Sequence, residues 1–363
     1  MESNMTTLMM RTAIPSARRA GTVGAVMSLM VCLVFGTPTL AQTKLPPVDE
    51  VLKDLQFTPE ELQHAKGGKI VERKSKEGSE RELSIAFSLL AKATPEDVAK
   101  LYREARDLET IKVIKEHARI SGDGTPADFE KMTLQPNPDK EAKRYLNAEP
   151  GDTLNLSAQE IAVFQALKTK GGDAASVKSV EQLLRETLLA RLQAYRTKGL
   201  AGIAPYQRGR SAQLSAGDEL RLATTQSVKL AKYLPTLYDV LLNYPAAKEK
   251  AKNEKFEESF YWYNLELFER PTFVLTHRVA MLADYAYVAV ERQFYASHDY
   301  NAMQQIVAAL QTKDGTLLMY IGRVSTDQVA GFTSAVAHPA ARTIMAPYLK
   351  EMFEAIRSRA EMK

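Results

Sequence analysis

The sequence predicts an α+β protein built from an antiparallel sheet, a helical middle region and a long C-terminal helix. Residues 69–90 alternate apolar with small or polar side chains around a turn at 76–79, as a hairpin with one buried face does. Four further strand candidates follow one another through short polar links, which is typical of an antiparallel meander. An amphipathic pattern at the end of the chain predicts the last helix.

Capping residues mark the first two helices. Thr58 and Thr94 each precede a proline and acidic residues. This composition indicates a helix start, because Thr accepts a hydrogen bond from a free backbone amide and acids favour the positive helix end. We therefore expect a short helix that ends at Gly67, and another that directly follows the hairpin.

The middle of the chain is predicted to be a helical insertion at about 107–255. Residues 122–153 are rich in Gly, Pro, Asp and Asn, which favours irregular structure. A capping box at Ser157 then begins an amphipathic helix. Residues 180–195 predict a stronger helix with leucines along one side and Gly199 at its C-terminal cap.

The last third of the chain returns to a two-residue period. Its strand candidates are Glu258–Phe268, Thr272–Leu282, Tyr287–Ser297 and Thr316–Val324. The final helix is expected from about Ala340 to Arg359, with Met345, Leu349, Met352 and Ile356 on one side. Pro347 should kink this helix or mark its real beginning.

Residues 1–41 have the organisation of a secretory signal peptide. Arginines precede an apolar stretch at 23–35, and small residues lead to an expected cleavage site after Ala41. The stretch is shorter than the ~20 residues that span a bilayer, so no transmembrane segment is expected after signal removal. Cleavage would remove Cys32, the single cysteine, and with it any disulfide or thiolate metal site. We expect an exported protein, periplasmic or secreted.

Composition and motifs exclude several classes of function. The chain of 363 residues is 45% hydrophobic and 25% charged, which is the balance of a globular protein. Its net charge of +4 is too small and too evenly spread for a nucleic-acid partner. The sequence has no glycine-rich phosphate loop, no His-Glu-x-x-His, no Gly-x-Ser-x-Gly and no Ser-x-x-Lys. We predict no cofactor and no metal.

Particular segments carry a resemblance to a known superfamily. They are Glu82–Ala91 with Thr94–Asp97, Phe260–Tyr263, Pro271–Val279, Glu291–His298, Ser325–Asp327 and the last helix. In this order they resemble the START-like superfamily of lipid-binding and polyketide-cyclase-type proteins, whose helix-grip fold curls an antiparallel sheet around the last helix. The resemblance implies such a domain over 69–363, preceded by a linker and short helix over 42–68, with an apolar cavity between sheet and helix.

A second resemblance implies no activity. The same segments, together with 192–205 and 233–245, are similar to an uncharacterised family of exported bacterial proteins.

His277 is the first candidate site residue. It shares a strand face with Phe273, Leu275 and Val279. If that face is buried, the imidazole could act as a general base or orient the polar end of a ligand. The alternative is a structural histidine that is hydrogen-bonded within the core.

The next strand offers a partner for His277. Glu291, Gln293 and Tyr295 alternate, and an antiparallel pairing could place Glu291 opposite His277 as an acid-base pair. Register decides this, because a slip of one residue reverses the face. His298 and the following Asp299 could contact a metal, although a solvated turn is the preferred interpretation.

Arg323 and Trp262 complete the candidate residues. Arg323 could meet an anionic head group, or it could form an exposed ion pair with Asp327. Trp262 lies in an aromatic strand and either lines a ligand cavity or fills the core.

These observations lead to one preferred function and two alternatives. The preferred function is binding of a hydrophobic or amphipathic, lipid-like small molecule between the sheet and the last helix, without turnover. The predicted ligand-binding residues are Trp262, His277, Glu291, Gln293, Tyr295 and Arg323. The first alternative is an enzyme of cyclase or hydrolase type that uses His277 with Glu291. The second is a structural or interaction protein of the cell envelope. The sequence is also compatible with transient contact with a membrane.

Overall fold

The computed structural model describes residues 44–73, 75–171, 176–251, 254–331 and 334–362. The predicted signal peptide, 1–41, lies outside these ranges. Within them, no helix combines the length and the apolar character needed to cross a membrane.

The centre of the fold is an open, eight-stranded antiparallel sheet in the order β1-β2-β10-β9-β8-β7-β6-β3. Its strands are β1 Val71–Arg73, β2 Glu82–Ala91, β3 Ile114–Ile120, β6 Phe256–Leu267, β7 Arg270–Ala283, β8 Ala286–Ala296, β9 Ala302–Thr312 and β10 Gly315–Ser325. A separate short pair joins β4 Tyr206–Gln207 to β5 Gln213–Leu214.

Eleven α-helices surround the sheet in the described part of the chain. They are α1 Val48–Asp54, α2 Pro59–Lys66, α3 Pro95–Arg103, α4 Pro138–Leu146, α5 Ala158–Gly171, α6 Val177–Lys198, α7 Ala216–Thr225, α8 Val228–Tyr233, α9 Pro235–Asn243, α10 Ala246–Lys250 and α11 Ser334–Glu361. The capping predictions at Thr58 and Thr94 are confirmed, because each side chain accepts from the backbone amide three residues on.

The predicted hairpin and meander are both present, but two strands of the eight-stranded sheet, and the short pair β4–β5, were not predicted. β9 lies between the last two predicted strands and completes the meander. β3 pairs with β6 at the edge of the sheet, so the region predicted as a helical insertion also supplies a strand. An edge strand with one partly buried face lacks the apolar run of a central strand, which explains why β3 was missed.

Helices cover both faces of the sheet. The front face is the one that contacts α3 and α11, where Phe353 packs against Tyr320 with ring centroids 6.1 Å apart. The back face contacts α1, α2 and the helices of the middle region, where Tyr195 of α6 stacks on Phe294 at 4.1 Å. As a result β8 is buried along its whole length.

The last helix is longer than predicted. It begins at Ser334, before both of its prolines, and continues past Pro339 and Pro347. Pro347 therefore does not mark the start of the helix. Met352, Phe353 and Ile356 are buried against the front face, as the amphipathic pattern of this helix requires.

We expect the contact between α11 and the front face to contribute strongly to stability. Phe353 is fully buried, so Phe353→Ala should lower the free energy of unfolding by about 3–5 kcal/mol through lost burial and a cavity. Urea denaturation measures this. Val336→Ala in the same helix is the control, because Val336 is 75% exposed and should change stability by less than about 0.5 kcal/mol. A similar small effect for both variants would contradict the packing.

Candidate functional site

His277 is a buried, fully hydrogen-bonded histidine on the back face. The Tyr195 hydroxyl lies 2.9 Å from Nδ1, and Oε1 of Glu258 lies 3.1 Å from Nε2. A carboxylate can only accept, so Nε2 carries the proton and Nδ1 accepts from the tyrosine. The ring stacks on Phe260, with centroids 4.4 Å apart. Burial lowers the pKa of His277 to about 4, which keeps the imidazole neutral at pH 7.

A buried arginine extends this chain of side chains. Arg292 lies opposite His277 in the β7–β8 register and is about 1% exposed. It donates to Gln304 Oε1 at 3.0 Å and to the hydroxyl of Thr224 at 2.5 Å. The guanidinium also interacts with Tyr195, so a connected polar chain crosses the back-face core. Both ring nitrogens of His277 are hydrogen-bonded within this chain. This supports the interpretation of His277 as a structural histidine of the core.

Glu291 does not pair with His277. It lies opposite Arg278 in the register, and neighbouring residues of a strand point to opposite faces. Its Oε2 accepts from Arg278 Nη2 at 2.7 Å, and its Oε1 accepts from Gln305 at 2.9 Å. The predicted acid-base pair is therefore wrong, because His277 lies on the back face and Glu291 on the front face.

The front face contains a buried ion cluster that the sequence analysis missed. Arg278 also donates to Asp107, with Nη2 2.6 Å from Oδ2. All three side chains are at most 5% exposed. Two carboxylates share one guanidinium here, and burial raises the pKa of Asp107 to about 6. Asp107 follows α3, so only the docking of that helix brings it to Arg278.

Gln293 and Tyr295 lie on different faces. The β7–β8 register shifts by one residue at Phe294, so the predicted alternation of Glu291, Gln293 and Tyr295 on one face is wrong. Gln293 accepts from the hydroxyl of Tyr300. Tyr295 packs on the back face beneath the guanidinium of Arg191, which lies 4.3 Å from the ring centroid.

Trp262 and His298 are core residues. The indole Nε1 of Trp262 donates to the carbonyl of Asp128 at 2.6 Å, within the back-face core. His298 is 1% exposed and contacts Asp299 and the Pro271 carbonyl, so the interpretation as a solvated turn is wrong. In the described ranges, no cluster of three or more His, Cys, Asp or Glu could hold a metal ion.

Arg323 forms a buried ion pair with an unexpected partner. Its Nη1 lies 3.0 Å from Oε2 of Glu82 and also donates to the carbonyl of Lys76. Asp327 pairs instead with Arg81 and Arg208, so the predicted Arg323–Asp327 pair is wrong. Arg323 shares the back face of β10 with Ile321, since both contribute to the same cavity there.

An apolar cavity of about 180 Å³ lies on the back face, between β8–β10 and the helices α1 and α8. Of the six predicted ligand-binding residues, Arg323 alone contributes to the lining of this cavity. Several of the apolar side chains, such as Ile306 and Ala308, are only half-buried, so the cavity is accessible to solvent. It is lined by Leu45, Val51, Leu55, Gln226, Ser227, Val228, Lys229, Leu230, Tyr233, Leu234, Ala286, Val288, Ile306, Ala308, Leu310, Met319, Ile321 and Arg323.

A small cavity of about 10 Å³ with a mixed polar and apolar lining adjoins the same arginine. Glu219, Gln304, Arg323 and Ser325 contribute to its lining. Gln304 Nε2 and Arg323 Nε are buried donors with almost no accessible surface and no hydrogen-bond partner. A space of this size holds about one water molecule or one oxygen-sized group. Arg323 contributes to the lining of both cavities.

The chain matches no protein-family model, no curated protein and no solved structure. The functional argument therefore depends on the fold and its cavities. The cavity residues come from distant parts of the chain, which is why no local motif indicated them. The alternation of Ile306, Ala308 and Leu310 was the one available signal, and it belongs to the strand that was not predicted.

We expect His277 to make the free energy of unfolding depend on pH. Between pH 6.5 and 4 the unfolded chain protonates this histidine and the folded chain does not, so the free energy of unfolding falls as pH falls. The shift corresponds to about 3 kcal/mol. Urea denaturation of the wild type and of His277→Gln across this window measures it, since other groups largely cancel in the difference. A difference that does not change with pH would contradict a buried neutral histidine.

Asp107 should make the free energy of unfolding depend on pH in the opposite direction. Its pKa is raised on folding, so the folded chain holds a proton that the unfolded chain has released between pH 3.8 and 6. Stability from this group therefore falls by about 3 kcal/mol as pH rises through that window. Asp107→Asn, which keeps an acceptor for Arg278, should remove this loss. Denaturation at matched pH values checks it, and an equal loss in both proteins would disprove the assignment.

Proposed function

We propose that the protein binds an amphipathic, lipid-like small molecule in the apolar cavity of the back face. The observation that carries this proposal is a cavity of about 180 Å³ whose surface is almost entirely apolar and whose lining also includes the cationic side chains Arg323 and Lys229. Small-molecule sites are typically concave and apolar with a few placed polar groups. This lining fits that description.

The energetic argument is the apolar surface left without a partner. Ile306, Ala308, Met319 and Ile321 form a continuous patch on β9 and β10 that the helices cover only in part. Covering apolar surface is favourable by roughly 25 cal/mol per Å². An alkyl chain in this cavity would complete the burial of the sheet.

The proposed site differs in position from the one expected from the sequence. On the front face, the space between the sheet and α11 contains the packed rings of Phe87, Tyr320 and Phe353. We propose that the relation to START-like proteins concerns the sheet curling around the last helix, and that the ligand lies on the other face. We also propose that the protein acts after export, as its N-terminal 41 residues indicate.

Binding is favoured over catalysis by where the titratable groups lie. His277 does not contribute to the cavity lining, and both of its nitrogens are hydrogen-bonded within the core. A general base must reach the proton that it removes, which the buried imidazole does not do here.

A cavity-filling substitution tests the proposal. Ala308 lies between Val288 and Met319 in the sheet, so Ala308→Phe should occupy the cavity with a ring. We expect solvent extraction and mass spectrometry of the purified full chain to find a lipid-like molecule in the wild type. The same experiment should find at least about tenfold less in Ala308→Phe.

The matched control is Leu282→Phe, which enlarges a partly exposed strand residue that does not line the cavity. It should retain the bound molecule, and thermal melting should show that both variants are folded. If the wild type carries no ligand and takes none up from an added lipid mixture, the proposed function is wrong.

A further inference from the structure

We propose that the ligand is a single-chain amphiphile with an anionic oxygen head, such as a carboxylate, and that this head lies at the rim of the apolar cavity beside Lys229 and Lys232. The inference rests on the proposed function and specifies the chemical class of the ligand. It is carried by the sign of the charges in the lining, by the place of Lys229 at the rim and by a carboxylate that two lysines share.

The apolar cavity has charged side chains of one sign only. Among the described residues that line it, Lys229 and Arg323 are charged at neutral pH, and none is an aspartate or a glutamate. An ammonium head would meet like charges in this lining, whereas an anionic head would meet opposite ones. The lining therefore favours an anion, and the surroundings of each cation decide where the anion lies.

Arg323 is already balanced by acidic groups. Its Nη1 lies 3.0 Å from Oε2 of Glu82, and both side chains are at most 7% exposed. Glu219 lines the small neighbouring cavity together with this pair. An anionic head at Arg323 would thus meet two carboxyl groups for one guanidinium. These carboxyl groups would attract a cationic head, but neither of them lines the apolar cavity.

Lys229 and Lys232 of α8 share a single carboxylate. Both ammonium groups lie 2.9 Å from Oδ2 of Asp54, the last residue of α1. Hydrogen bonds from Tyr233 and the two lysines hold the pKa of Asp54 well below its usual range. Asp54 therefore contributes one negative charge against two positive charges, and one positive charge is left at this side of the cavity.

The other charged residues of α1 do not reverse this balance. Asp49 and Glu50 lie in the first turn of the helix, and Lys53 directly precedes Asp54. All three are exposed, and none of them lines the cavity. Water and salt screen exposed charges, so the groups nearest to the cavity dominate.

Lys229 has the position and the donors that a head group requires. It lines the cavity while 42% of its side chain is exposed, so it lies where the cavity meets solvent. Its ammonium group contacts the carbonyl and Oδ2 of Asp54, which leaves one of its three N–H donors for a ligand. The lining also includes the buried side chains of Leu230 and Val288. An alkyl chain would pack against these, and the charged head would keep its contact with water, which avoids the cost of burying a charge.

The test compares decanoate, decanol and decylammonium, which share one chain length and differ in the head, with acetate, which has the head alone. Isothermal titration calorimetry on the full wild-type chain, freed of extractable lipid, measures each affinity at neutral pH. We expect decanoate to bind at least about tenfold more tightly than decanol or decylammonium, and acetate to show no measurable binding. Raising the ionic strength should reduce the advantage of decanoate over decanol, because salt screens the lysines.

Two variants with opposite expected effects place the head at the rim. Lys229→Met removes a positive charge that lines the cavity, so decanoate should lose about tenfold in affinity while decanol changes little. Asp54→Asn removes the shared negative charge and keeps an acceptor for the lysines, so decanoate should gain at least about threefold. The affinity for decanol shows whether the cavity is intact in each variant.

Lys66→Met is the matched control. Lys66 forms a lysine–aspartate pair with Asp314 at a similar exposure of 46%, and it does not line the cavity. This variant changes the net charge by the same amount as Lys229→Met and should leave all affinities unchanged. An equal loss of decanoate binding in both variants would show a general effect of net charge and would overturn the placement of the head.

The outcomes separate this inference from the function on which it rests. If no amphiphile binds and extraction finds no ligand, the proposed function itself is wrong. If decanol binds as tightly as decanoate, or decylammonium binds best, and Ala308→Phe still abolishes binding, the cavity is the site and the anionic head is wrong. If Lys229→Met weakens decanol as much as decanoate, the lysine serves to join α8 to α1 and its role at the head is wrong. Acetate that binds as tightly as decanoate would show a site for free anions and would overturn the amphiphile.

Discussion

The burial of the central strands on both faces is the constraint on which the other features depend. Because helices cover the front and the back of β7 and β8, their polar side chains have no bulk water and must find partners inside the protein. On the front face Arg278 meets two carboxylates. On the back face His277 is held between Tyr195 and Glu258. These networks pair the charged and titratable groups of the central strands, and they explain why the residues with the most suggestive chemistry in the sequence serve packing.

The same coverage is incomplete at one place, and that place is the candidate site. Helices α1 and α8 have only seven and six residues, and they leave the back face of β9 and β10 partly uncovered between them. The resulting cavity is apolar because the strand positions facing it continue the core alternation of the sheet. Arg323 bounds it because β10 carries that side chain on the same face, four residues beyond Met319. A gap in helical coverage thus becomes a compartment suited to an alkyl chain.

The sequence predicted the local elements well and their partners poorly. The hairpin, the caps at Thr58 and Thr94, most of the meander and the amphipathic last helix depend on patterns within a few residues, and they are present. β3 was missed because an edge strand carries little apolar signal. β9 contains no aromatic residue, and it was missed although turn-type residues flank it at 299–301 and 313–315. The pairing of Glu291 with His277 failed for another reason. Register is set between strands, and it places Arg292, not Glu291, opposite His277; the shift at Phe294 then puts Tyr295 on the face opposite to that of Gln293.

By itself the sequence determined the class of fold, the order of most of its elements and a globular composition, because these depend on local periodicity and on residue type. Only the tertiary structure decided which face each polar residue occupies, which ions pair and where the sheet is left uncovered. These properties depend on strand register and on helices that are distant in the chain, such as α1, and α8 more than 170 residues later. No local pattern encodes the contact between them, so the cavity they enclose becomes visible only when the chain is folded.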